Sequence, residues 1–157
     1  DLQQCADAVM RLRTEYLWSK REAIAFHPDP GKPRALAFSG GTRAQLDRYL
    51  VRLFSEAGSA SLQAELHKVS GPVEPGDVLI QGGYPGHAVL VLDVAVGAAG
   101  ERYLLVGQSY MPAQDFHVVV NPGAAALSPW YPEADLDGAG LRTPEWRPFR
   151  RGDVRRF

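Results

Sequence analysis

The chain changes periodicity once, and that change limits its fold more than any other feature. From residue 2 the apolar side chains Leu2, Cys5, Ala6, Val9, Leu12, Tyr16 and Leu17 recur at helical spacing, which predicts an amphipathic helix running to about residue 25. Asp1, followed three residues later by Gln4, fits a capping box that puts Cys5 in the first turn. A polar stretch with three prolines, residues 27–33, breaks the pattern. A second helix follows over residues 42–57, with Leu46, Tyr49, Leu50, Leu53 and Phe54 on one side. A short third helix over residues 61–67 takes Ser61 as its cap. After Pro75-Gly76-Asp77 the helical period is lost. Short β-rich runs replace it at Val78–Gln81 and residues 86–94, 102–110 and 116–120, punctuated by glycine and proline. Past Asn121-Pro122 the chain reads as an irregular segment anchored by Trp130 and Trp146. The expectation is one α+β domain over residues 1–157: helices over about 1–68, packed on a small antiparallel sheet over about 76–121, with an irregular wrap over about 122–157.

At 157 residues, 45% hydrophobic and 22% charged, the chain has the material for one full core. Its 17 basic and 18 acidic side chains give a net charge of -1, without the broad positive field that a nucleic-acid partner requires. No apolar run approaches the roughly 20 residues needed to span a bilayer. A single cysteine rules out an intrachain disulfide and a thiolate metal cluster, leaving a buried small hydrophobe or a reactive thiol. No initiator methionine or signal motif is visible at Asp1, so the chain reads as a piece with a segment upstream.

Cys5 and His87 carry the chemistry this sequence offers. With a hairpin centred between Gly97 and Ala98, Asp93 faces Arg102, Val91 faces Leu104, Val89 faces Val106 and His87 faces Gln108, all on one side of the sheet. A glutamine carbonyl beside a histidine fixes its tautomer and leaves the other ring nitrogen free to accept a proton. A thiol in the first turn of a helix has its thiolate favoured by the helix dipole. Cys5 is therefore the candidate nucleophile, His87 the general base and acid, and Gln108 the residue that orients His87. Gln4 is a candidate oxyanion donor, and Tyr84 and Tyr110 are candidate walls of a substrate groove. Asp115 and His117 share a strand face and are the alternative third members. Neither a metal nor another cofactor is expected. Against this stands the plainer reading: a cysteine on an apolar helix face fills the core, and His87 is a satisfied strand residue.

These residues also carry a resemblance. Cys5 at a helix start, Gly76-Asp77 opening a strand, Gly86-His87 followed by Ala-Val-Leu-Val-Leu, and a strand ending at Gln108 resemble the order in NlpC-type and CHAP-type cell-wall peptidases and amidases, which are papain-like. The stretches Leu2-Gln3-Gln4-Cys5-Ala6-Asp7-Ala8, Gly86-His87-Ala88-Val89 and Gln108-Ser109-Tyr110-Met111-Pro112-Ala113-Gln114-Asp115-Phe116-His117 are similar to a bacterial domain family of unknown function. The first resemblance implies a papain-like fold and an extracytoplasmic setting. It also implies a cysteine hydrolase or acyltransferase acting on a peptide or amide bond, with a peptide or peptidoglycan-type substrate. The cell-wall enzymes more often place His, Asn or Asp where Gln108 stands. The alternative is a non-catalytic module of the same shape that binds peptide or glycan.

Overall fold

The computed structural model describes residues 3–29, 31 and 33–157. Helix α1 spans Cys5–Lys20. The expected cap on Asp1 lies outside the described residues. Gln4 stands at the cap position with extended backbone, and its N–H donates to the Asp7 carboxylate at 3.0 Å. Residues 6–10 are all buried, while Tyr16, expected on the inner face, is exposed. The helix ends at Lys20 and not near residue 25. Arg21 turns left-handed (φ 60), and its N–H returns to Trp18 O at 3.0 Å. The residues beyond form a hairpin that the sequence reading missed, β1 (Ile24–Phe26) on β2 (Leu36–Phe38).

Helix α2 (Arg43–Glu56) begins as expected after Thr42, whose hydroxyl accepts from Gln45 N–H. Helix α3 (Ser59–Glu65) starts two residues earlier than predicted. Ser61 lies inside it, and its hydroxyl reaches back to accept the Gly58 N–H at 2.9 Å.

The larger sheet is antiparallel throughout. It contains β3 (His67–Lys68), β4 (Val78–Gln81), β5 (His87–Val96), β6 (Arg102–Gln108), β7 (His117–Val118), β8 (Trp130–Pro132) and β9 (Val154–Arg156). The order is β3-β9-β4-β5-β6-β7, with β8 also on β6. The segment from residue 122 is therefore not wholly irregular, because β8 and β9 both join the sheet. One face of the sheet, with Val78, Ile80 and Ala88, packs against Ala6, Met10, Leu46 and Leu53. The other, with Leu79, Val89, Val91, Leu104 and Val106, packs against Tyr131, Leu141 and Phe149 from the C-terminal segment. The whole is a mixed α/β fold, and among the described residues no helix is long and apolar enough to cross a membrane.

The hairpin register differs from the expected one. Val91 pairs with Val106 rather than Leu104, Leu92 is passed over at an irregularity, and Val96 pairs with Arg102. The turn closes later because Gly100 takes the left-handed conformation (φ 87) and its N–H bonds Gly97 O at 3.0 Å. The expected Asp93–Arg102 pair is absent. Asp93 accepts from Val94 N–H at 2.8 Å, and Arg102 reaches Glu133 at 2.7 Å. At the start of β5 the slip is two residues, an even number, so every side chain keeps its predicted face.

Candidate functional site

His87 opens β5, and its ring is enclosed at 5.0 Å from Tyr110, 5.2 Å from Trp146 and 6.2 Å from Phe149. Its Nε2 lies 2.7 Å from Gln108 Oε1, and Gln108 Nε2 donates to Glu145 Oε2 at 3.0 Å. The carboxylate accepts only, so the amide presents its NH2 to Glu145 and its carbonyl to the ring. His87 must then carry its proton on Nε2. Nδ1 is left as the basic nitrogen, with no hydrogen bond to a described residue. Burial is the largest influence on His87 and lowers its pKa, while the Gln108 bond and the Glu145 charge act the other way.

Glu145 was not singled out in the sequence, because it comes from the aperiodic C-terminal segment. Gln81, the β4 partner of His87, holds that segment down. Its amide donates to Pro148 O at 3.1 Å and accepts from Trp146 Nε1 at 2.9 Å. The Tyr110 hydroxyl donates to Glu145 O at 3.0 Å. The flanking loop needs its glycine: a Cβ on Gly86 would stand 2.7 Å from the Gly83 backbone.

Cys5 is the first residue of α1, and the Ser109 hydroxyl bonds Gln3 O at 2.9 Å, tying the segment before it to the end of β6. The thiol lies 4.0 Å from Gly86 O, and the Ala88 N–H also reaches the sulfur. The sulfur thus faces the peptide groups on either side of His87. It packs with the helix-side cluster, whereas the His87 ring lies with Phe149 on the face of Val89 and Val91. Among the described residues no hydrogen bond joins the two side chains, but the Cys5 charge acts on Tyr110, whose ring stands against His87. Burial raises the Cys5 pKa; the N–H groups of Ala88, Ala6 and Cys5 itself lower it, and the Asp7 charge adds to the rise. Both shifts favour the neutral forms, thiol and imidazole.

A cleft of about 790 Å³ opens on Cys5, with Gln4, Asp7, Tyr84, Gly86 and Met111 among its walls. Gln4 and Tyr84 therefore line the same cleft as Cys5, and Tyr110 stands edge-on to the His87 ring. His117 pairs with Gln108 across the ladder, but its Nδ1 is turned to Asp115 O at 2.9 Å. Asp115 is exposed and lines a separate, smaller cavity with Arg11 and Arg43.

A family model described as Domain of unknown function (4846) matches residues 33–156. The chain belongs to this family. No curated protein and no solved structure matches it. The span shared with the DUF4846 family holds His87, Gln108 and Glu145, and Cys5 lies upstream of it.

Proposed function

We propose that the chain is a cysteine hydrolase or acyltransferase for peptide or amide bonds, with Cys5 as nucleophile and His87 as general base and acid. The observation that carries this reading is the His87–Gln108–Glu145 relay, which holds a buried imidazole with its basic nitrogen free. The order of cysteine helix, histidine strand and polar strand resembles papain-like cell-wall enzymes and supports the same reading. In this mechanism the thiol leaves Gly86 O for His87 Nδ1, which takes its proton. The thiolate adds to the carbonyl carbon, and the oxyanion is met by the unpaired N–H groups of the first turn of α1. His87 then protonates the departing amine, and water or another acceptor releases the acyl group from sulfur. The substrate in this reading is a peptide or peptidoglycan-type compound bound in the cleft beside Cys5.

A second reading, a non-catalytic module that binds peptide or glycan in the cleft, is favoured by the raised Cys5 pKa. Alkylation of Cys5 by iodoacetamide as a function of pH separates the two. The enzyme reading expects labelling whose acid limb follows His87 and so lies below the ordinary histidine value of 6.5. It also expects the rate near pH 7 to fall sharply in His87→Ala and about tenfold in Gln108→Ala. Labelling that rises only above about pH 8.5 and is the same in all three proteins establishes the binding module and ends the enzyme reading.

A further inference from the structure

The cleft beside Cys5 has an uneven charge. Asp7 lies on its wall and is 8% exposed, and its one hydrogen bond among the described residues is the Gln4 N–H at 3.0 Å. None of the residues that line the cleft is a lysine, arginine or histidine. The second carboxylate there, Glu56, is engaged by Arg52 at 2.7 Å and Arg34 at 3.7 Å. Among the described residues Asp7 has no such partner, and a carboxylate enclosed without a cation is costly to keep ionised. The rim is apolar: Tyr84 is 95%, Val51 69% and Met111 63% exposed, and all three line this one cleft. Large apolar side chains that exposed, gathered around a cavity, mark a contact surface.

We infer that the cleft selects compounds carrying a positively charged group, with Asp7 as the counter-charge and Tyr84, Val51 and Met111 holding the apolar part beside it. For the reaction proposed above, this makes the substrate class an amide or acyl compound with a free ammonium close to the bond attacked. That extension rests on Cys5 being the nucleophile. The charge selection itself does not, because Asp7 and Cys5 face one cavity whether or not the thiol is activated. An ammonium seated at Asp7 replaces the missing cation and leaves its apolar neighbours against the rim. An anion there meets an unscreened carboxylate.

Cys5 is the only cysteine of the chain, so its modification reads the cleft directly. The probes are a pair of methanethiosulfonates, the aminoethyl (cationic) and sulfonatoethyl (anionic) reagents. In each the thiolate forms a mixed disulfide and expels methanesulfinate. Each rate is divided by that of the same reagent with free cysteine. At pH 7.5 the normalised cation-to-anion ratio is expected to be at least about tenfold for the unaltered chain and to fall towards unity in Asp7→Asn, while Glu56→Gln leaves it unchanged. A ratio at or below unity in the unaltered chain overturns the inference without any variant. So does a ratio that Asp7→Asn leaves intact. If Asp7→Asn does not fold, the unaltered chain at pH 5 serves, where protonation of Asp7 must abolish the preference. Of the other titratable groups on the cleft, Cys5 enters both rates equally and cancels, and Tyr84 and Glu56 are tested as Tyr84→Phe and Glu56→Gln. Charge selection without any dependence on His87 sinks the catalytic reading alone, and dependence on His87 without charge selection sinks this inference alone.

Discussion

Burial raises the Asp7 carboxyl to about 6, and the Gln4 N–H only partly offsets it. The folded chain therefore holds this proton more tightly than the unfolded chain, whose carboxyl keeps its ordinary value of 3.8. Stability contributed by the protonated form is fully present below the ordinary value and is lost as pH rises through about 6. Two pKa units amount to roughly 3 kcal/mol. Asp7→Asn keeps an acceptor for Gln4 N–H without the charge, and it is expected to stabilise the chain by about that amount at pH 8 and by little at pH 3.5. Urea unfolding at the two pH values measures it, and an equal effect at both would refute the account. Residue type pointed to Cys5 and His87 as candidates, a lone thiol and a strand-start histidine, and the hairpin pairing pointed to Gln108, whose contact with His87 the structure contains. Glu145 was not legible, because a carboxylate in an aperiodic segment carries no signal of where the chain will lay it. Asp7 was hidden differently: an acidic residue in the first turn of a helix is ordinary, and only the fold shows that it lies buried on the wall of the cleft.

Elements were legible by type and less so by their pairing. The β5 and β6 runs declare themselves, but the register followed from where Gly100 closes the turn and from one residue passed over, neither of which alternation reveals. The prediction that His87 and Gln108 share a face survived because the error was even. The hairpin β1–β2 was missed because strands of three residues are too short to show a period. What joins the elements at the far end is also polar. Glu133 accepts from Arg102 Nε and Arg151 Nη1, both at 2.7 Å, and from Val73 N–H at 3.1 Å, linking β6, the turn before β9 and the loop before β4. Burial pushes this carboxyl up, but the bonds from Arg151, Arg102 and Val73 outweigh it and hold the pKa below its ordinary value. Its contribution is thus present above the ordinary carboxylate range and lost as pH falls through it. Glu133→Gln is expected to cost about 2 kcal/mol at pH 7, since it takes the negative charge from Arg102 and leaves Arg151 with Asp137 alone, and the cost should shrink towards pH 3. Thermal unfolding across that range tests it; a pH-independent cost would mean that shape, and not charge, holds the three elements.

In the whole molecule the last strand in sequence is an interior strand of the sheet. β9 lies between β3 and β4, with His67 opposite Arg156, Val78 opposite Arg155 and Leu79 opposite Val154. Little in the sequence points to this, because Val154-Arg155-Arg156 offers one apolar residue in three and reads as part of a basic tail. Its strand conformation is imposed by the two open edges it fills. Val154 is wholly buried, and the Arg156 guanidinium grips the buried Asp77 carboxylate at 2.6 Å and 2.8 Å. Removing residues 154–157 therefore opens the sheet between β3 and β4. It leaves the ladder edges of β3 and β4 unpaired, uncovers Leu79, and deprives Asp77 of its cation in a buried site. The same edge supports the site, because β4 carries Gln81, which pins the segment bearing Glu145. The truncated chain is expected to lose its cooperative urea transition and to associate through the exposed edges, in contrast to the full chain. Scattering and unfolding monitored by tryptophan fluorescence report both effects. A truncated chain that stays monomeric, unfolds in one sharp transition and labels at Cys5 with an unchanged pH profile would show that β9 only covers a sheet already complete without it.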